Sequence, residues 1–183
     1  MWVWMLSVSM LSGQGLPSLK ELQQLQKQFA EVELKVDIAG LPTNEAQVLT
    51  KLIRAAQIID ALFLRQVDAS NEARLLDLAK SAKTDPLRAA ELDMFLLHKG
   101  PWDRQNHQAF LSGVGAKPAG ANFYPADASK EEISKYLDSL SPQDKERATG
   151  FFTTLRRQVD GRLSIVPYSV EYQNELQQVA GLL

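Results

Sequence analysis

The chain has 183 residues with a formal net charge of −2, 45% hydrophobic and 23% charged residues, and no cysteine. These values describe a globular chain long enough to bury a core of its own. They exclude a disulfide framework, thiolate metal sites and a cysteine nucleophile, and the absence of any Lys/Arg run argues against a nucleic-acid partner.

The first eleven residues, MWVWMLSVSML, carry no charged side chain, and none follows until Lys20. The segment is too short for a transmembrane span, which needs about 20 apolar residues, so no such span is expected. It has the length of a signal-peptide core followed by small residues, although the usual basic start is missing. Residues 1–15 therefore read first as a signal peptide, and otherwise as an apolar segment packed on the domain or an arbitrary start within a longer gene. The first reading implies a periplasmic or secreted protein, the others a cytoplasmic one.

Ser18 and Glu21 form a capping-box pattern, and Leu19, Leu22, Leu25 and Phe29 follow at helical spacing. Val32, Leu34, Val36 and Ile38 alternate with charged residues, which fits either a short strand or an extended linker. Asn44 and Gln47 suggest a second, looser capping box. The run from Leu49 to Val67 is apolar nearly all round, which predicts a buried central helix. Arg54, Gln57 and Asp60 interrupt it at intervals of three, as a solvated or ion-paired stripe or as the lining of a cleft. Further helices are expected over 71–83 and 87–99, with Asp85-Pro86 between them and Gly100-Pro101 after.

Residues 100–127 are irregular but rich in aromatic side chains, which predicts a long ordered loop. Ser129 with Glu132 opens a helix through Leu140, and Ser141-Pro142 opens the next. Asp160-Gly161 permits a tight turn and places one β-hairpin near 151–166. Tyr172, Leu176, Val179, Ala180 and Leu183 form an amphipathic stripe still in phase at the last residue, so the chain is expected to continue. The expected fold class is mainly α, with that hairpin and that loop.

Chemistry-bearing motifs are sparse. His98 and His107 are the only histidines, nine positions apart, with no His-Glu-x-x-His spacing. A histidine at a helix end ordinarily answers the helix dipole, and His107 reads as a solvated loop residue. There is no nucleophile elbow, dinucleotide fingerprint or P-loop. Glu131-Glu132 lies in a first helical turn, where capping accounts for it. Two loop segments remain: Trp102, Asp103 and Arg104, and Asn122, Tyr124 and Asp127. Rings that supply area and polar atoms that fix orientation suit ligand contact. They suit anchoring equally, with Trp102 plugging the core and Asp127 capping the following helix.

The segments AAQIIDALFLRQV, GPWDR, ANFYPADASKEEI and GRLSIVPYSVEYQNEL occur in this order. Together they resemble the N-terminal half of bacterial proteins of the dipeptidyl peptidase III family, over about residues 18–183. The resemblance implies a two-lobed, mostly helical zinc hydrolase acting on short peptides. It implies a His-Glu-x-x-Gly-His type zinc motif and a further glutamate ligand beyond this chain, so neither metal ligands nor catalytic residues are expected here. Residues 16–183 would form the N-terminal lobe, inactive alone, with zinc and peptide substrate held through the missing C-terminal part. Trp102, Asp103, Arg104, Asn122, Tyr124 and Asp127 would face or brace the cleft. The alternative is a non-catalytic helical domain that binds a ligand or partner.

Overall fold

The capping box at Ser18 forms as its sequence dictates. In the computed structural model, which describes residues 15–183, the Glu21 carboxylate accepts from the Ser18 N–H at 2.7 Å and the Ser18 hydroxyl accepts from the Glu21 N–H at 3.4 Å. Helix α1 (Leu19–Gln26) follows and buries Leu22 completely. The apolar start on which the signal-peptide reading falls lies outside the described residues, apart from Gly15.

Residues 30–38 are not a strand. Their alternating apolar side chains stand in solvent, Leu34 at 90% exposure. Alternation makes one face greasy, but a strand also needs a neighbour to take its hydrogen bonds, and among the described residues none pairs with this segment.

Helix α2 (Thr43–Val67) spans 25 residues. It begins one position before Asn44 and has no side-chain cap, so the expected Asn44–Gln47 box does not form. Nor is α2 a buried central helix. Only Ala55, Leu62 and Leu64 are buried, while Val48, Leu52, Ile53, Ile59 and Phe63 are exposed. Its C-terminal part packs against its neighbours, and its apolar outer face is uncovered.

Helix α3 (Asn71–Ser81) and helix α4 (Pro86–His98) pack together. Asp85 caps α4 by accepting from the Leu87 N–H at 2.9 Å, with Pro86 in the first turn. Leu22, Leu64, Leu78, Ala90, Met94, Phe95, Phe110 and Leu111 form the core between α1, α2, α3, α4 and the loop. Each large member contributes roughly 1.5–3 kcal/mol by leaving water. The loop of residues 100–127 is ordered because it sends Phe110 and Leu111 into this core.

Ser129 caps α5 (Lys130–Ser139) and Ser141 caps α6 (Pro142–Ala148). Strands β1 (Thr153–Arg157) and β2 (Leu163–Pro167) form an antiparallel hairpin, with Leu155 opposite Ile165 and Gly161 in the turn at φ 84°. The terminal amphipathic stripe is divided. Helix α7 (Tyr168–Glu171) ends at Tyr172, and helix α8 (Gln173–Leu182) then packs along α2. Among the described residues no helix is long and apolar enough to cross a membrane.

Candidate functional site

The loop leaves α4 through Lys99, whose left-handed backbone (φ 56°) turns the chain sharply at the helix end. Trp102 comes next and is 4% exposed. Its Nε1–H donates to the Gly115 carbonyl at 2.9 Å, and its backbone bridges to Ala109. The Arg74 guanidinium lies 6.0 Å from its ring centre. Trp102 thus closes the loop on itself and on α3.

Asp103 is buried as well. Its carboxylate accepts from the Gln105 N–H at 2.9 Å, the Asn106 N–H at 3.1 Å and the Asn106 side-chain amide at 2.9 Å. Burial pushes its pKa up, but these donors and nearby His98 outweigh that and hold it below the ordinary aspartate value. The carboxylate organises its own turn.

His98 sits behind Asp103 and between rings. Phe29 meets it edge-on at 5.4 Å and Phe110 lies 6.0 Å away. The Arg104 backbone N–H donates to its Nδ1 at 3.3 Å, so the imidazole proton resides on Nε2. That Nε2 is buried and has no hydrogen-bond partner among the described residues; the nearest carboxylate oxygen, on Asp103, is 3.9 Å away. Burial lowers the His98 pKa, Asp103 opposes this, and the Arg104 charge lowers it further, with a net fall. His98 is therefore a neutral donor rather than a cation answering the helix dipole.

Arg104 is the exposed member of the first trio. Its Nε–H donates to the His98 carbonyl at 2.9 Å, and its guanidinium lies 5.7 Å from the Phe63 ring centre on α2. Trp102, Arg104 and His98 line a cavity of about 360 Å³ with Phe63, Lys117 and Phe123.

The second trio faces another way. Asn122 ties the loop to α2, its side-chain amide donating to the Arg65 carbonyl at 2.8 Å, while its own backbone carbonyl accepts from Arg156 at 2.9 Å. Tyr124 packs its ring against Gly120, where any Cβ would collide with it. Asp127 is exposed and accepts from Arg157 Nε at 2.7 Å. Asp127 does not cap α5, since Ser129 does. Arg157 also grips Glu132 with both terminal nitrogens, at 2.7 and 3.0 Å, and the Gly161 carbonyl at 2.9 Å. Glu132, first of all, and Asp127 raise the Arg157 pKa. This knot joins the loop end, α5 and the hairpin turn.

The six residues are thus split. Trp102 and Arg104 share a cavity with Phe123, while Asn122, Tyr124 and Asp127 brace the hairpin side. Phe63, Lys117 and His107 reach the cavity only through tertiary folding, which no local sequence pattern signals. The stripe of Arg54, Gln57 and Asp60 is divided: Arg54 and Gln57 stay together. Both line a groove between α2 and α8, whereas Asp60 pairs with Lys99 at 2.7 Å.

No family model matches the chain. The solved structure of dipeptidyl-peptidase III from Corallococcus sp. strain EGB matches with a TM-score of 0.86 and 46% identity, over 92% of this chain and 31% of that one. This chain resembles part of dipeptidyl-peptidase III. A second dipeptidyl-peptidase III structure, from Caldithrix abyssi, matches with a TM-score of 0.75 and 36% identity over 87% of this chain and 30% of that one. Nudix hydrolase 3 of Arabidopsis thaliana is 31% identical over 177 residues, 80% of this chain and 22% of that protein. The chain spans about a third of the dipeptidyl-peptidase III structures and about a fifth of the plant protein.

The zinc that a dipeptidyl peptidase III resemblance implies does not fit the side chains described. Among the described residues no three His, Cys, Asp or Glu side chains come together as metal ligands. His98 already uses Nδ1 to accept from the backbone.

Proposed function

We propose that residues 16–183 are the N-terminal helical lobe of a zinc-dependent, dipeptidyl peptidase III-like hydrolase that cleaves short peptides, and that the lobe alone is inactive. The observation that carries this reading is 46% identity at a TM-score of 0.86 over 92% of the chain. Identity at that level reaches well past fold analogy. The uncovered apolar face of α2 supports it, because a row of exposed large hydrophobic side chains is what an interface within a larger body leaves when its other side is absent. Zinc and the peptide substrate then belong to the rest of the enzyme. The two loop trios serve it by bracing the wall of the cleft. Residues 1–15 act as a signal peptide in this reading, which directs the protein to the periplasm or out of the cell; if they do not, the protein is cytoplasmic.

One observation favours the alternative, a non-catalytic domain that binds a ligand: the cavity beside Trp102 is formed by this chain's own residues.

The test is hydrolysis of dipeptidyl-arylamides. The purified chain is expected to give none and to carry no stoichiometric zinc. The product of a reading frame extended past Leu183 into a His-Glu-rich helix is expected to be active and to lose activity with a chelator. Chelator-sensitive hydrolysis by the 183-residue chain would overturn the inactive-lobe reading.

A further inference from the structure

We infer that the cavity between α2 and the loop binds a small organic anion, a carboxylate carried on an apolar body. This inference stands apart from the peptidase reading and uses only side chains of this chain.

The cavity measures about 360 Å³, at the small end of the ligand-site range of roughly 300–1,000 Å³. One part of its wall is apolar: Phe63 and Val67 from α2, with Trp102 and Phe123 from the loop. The other part is cationic or proton-donating: Arg104 and Lys117, with His98 and His107. No carboxylate lines it among the described residues. Arg104 and Lys117 line the cavity with no acid on its wall, and the Asp103 carboxylate lies behind His98, so the charge facing the cavity is positive and suits an anion. A guanidinium beside an apolar wall matches a planar carboxylate, which it meets with two parallel N–H bonds.

His98 supplies a buried polar ring in the wall. It is 4% exposed, it lines the cavity, and among the described residues its Nε2 has no acceptor nearer than Asp103 at 3.9 Å. The Arg104 backbone N–H, by occupying Nδ1, forces the proton onto Nε2. That Nε2–H faces the Asp103 carboxylate 3.9 Å away, so His98 serves as a buried ring in the wall that reports on what enters the cavity. Arg104 links the parts, since its backbone orients His98 while its side chain lies over Phe63 and lines the cavity.

The experiment is a titration of the ¹⁵N-histidine-labelled chain, followed through long-range imidazole correlations. With only two histidines in the chain, the signals lost in His98→Gln are those of His98; His107 also lines the cavity and is left in place. The probes are 3-phenylpropionate, the uncharged 3-phenylpropionamide and inorganic phosphate. The acid is expected to shift the His98 Nε2 signal saturably. The amide is expected to bind at least about tenfold more weakly, and phosphate to leave the signal in place. Lys117→Gln, at a half-buried loop position, and Arg104→Gln should each weaken the acid about tenfold or more and leave the amide unchanged. Equal binding of acid and amide would make the cavity merely apolar and overturn the inference. So would a phosphate response matching that of the acid, or no saturable shift with the acid while the two imidazoles keep their native dispersion. An Arg104→Gln chain that loses its fold leaves the decision to Lys117→Gln, and unchanged acid binding there also overturns it.

Discussion

The side-chain amide of Asn122 donates to the backbone carbonyl of Arg65 at 2.8 Å, across 57 positions of sequence. That carbonyl lies in the last turn of α2, where no helical N–H remains to serve it. Asn71, fully buried, adds a second donor at 3.1 Å to the neighbouring Leu64 carbonyl, which also accepts from the Asp68 N–H at 3.2 Å. Two amides from separate segments therefore finish one helix and fix the loop and α3 to it. Asn122→Ala is expected to cost about 1–3 kcal/mol, the penalty for a carbonyl left unsatisfied near the interior. Urea denaturation measures it. A loss below about 0.5 kcal/mol would mean that water replaces the amide without penalty.

Trp102 is expected to matter to stability before it matters to any ligand. It is 4% exposed, and its Nε1–H closes the loop onto Gly115. Trp102→Ala should cost about 3–5 kcal/mol, as large aromatic truncations in cores do. Trp102→Phe keeps much of the packing and removes the donor, so its smaller loss isolates the Gly115 bond, about 1 kcal/mol. Thermal and urea unfolding give both values. If Trp102→Ala melts like the parent chain and yet abolishes 3-phenylpropionate binding, the residue belongs to the site and is no brace.

His98 should make the chain lose stability in mild acid. Its folded pKa lies below the ordinary value of 6.5, mainly through burial. Between the two values the unfolded chain binds more protons than the folded one, so stability rises with pH across that window. Above pH 6.5 the effect is absent, and below the folded pKa the loss is complete. Asp103 acts in the same direction in a lower window: its stabilisation is present above 3.8 and is lost as pH falls through its depressed folded value. Urea midpoints of the parent and of His98→Asn should diverge below pH 6.5, the parent falling more steeply. Parallel curves from pH 7.5 down to about 5 would contradict the neutral, buried assignment.

Most elements were legible because their signals are local. Ser18, Asp85, Ser129 and Ser141 all cap helices, and Asp160-Gly161 turns a hairpin. What misled was environment. The run from Leu49 to Val67 predicts burial because hydropathy reports what a helix wants covered, and it cannot report whether the cover is within the same 183 residues. Val32 to Ile38 alternate correctly for a strand but find no ladder to join. The Glu132 side chain had two suitors, the Ser129 N–H and Arg157; the charged partner holds it. Trp102 and Arg104 were readable as a loop motif, but Phe63, Lys117 and the His98 ring become neighbours only when α2 crosses the loop. No periodicity encodes that crossing.

The uncovered face of α2 makes a paired prediction. Ile53 and Leu62 sit on the same helix and look alike in sequence, yet Ile53 is 51% exposed and Leu62 is 5% exposed. Leu62→Ala should therefore cost about 2–5 kcal/mol through lost burial and a residual cavity. Ile53→Gln should change stability by less than about 0.5 kcal/mol, since it removes little packing and keeps good helix propensity. It should also reduce any self-association of the chain, because one large apolar side chain leaves the exposed row. Urea denaturation and sedimentation at two concentrations read the two effects separately. If Ile53→Gln costs as much as Leu62→Ala in the monomeric chain, then α2 is covered in solution, and the interface argument for a larger body loses its physical basis.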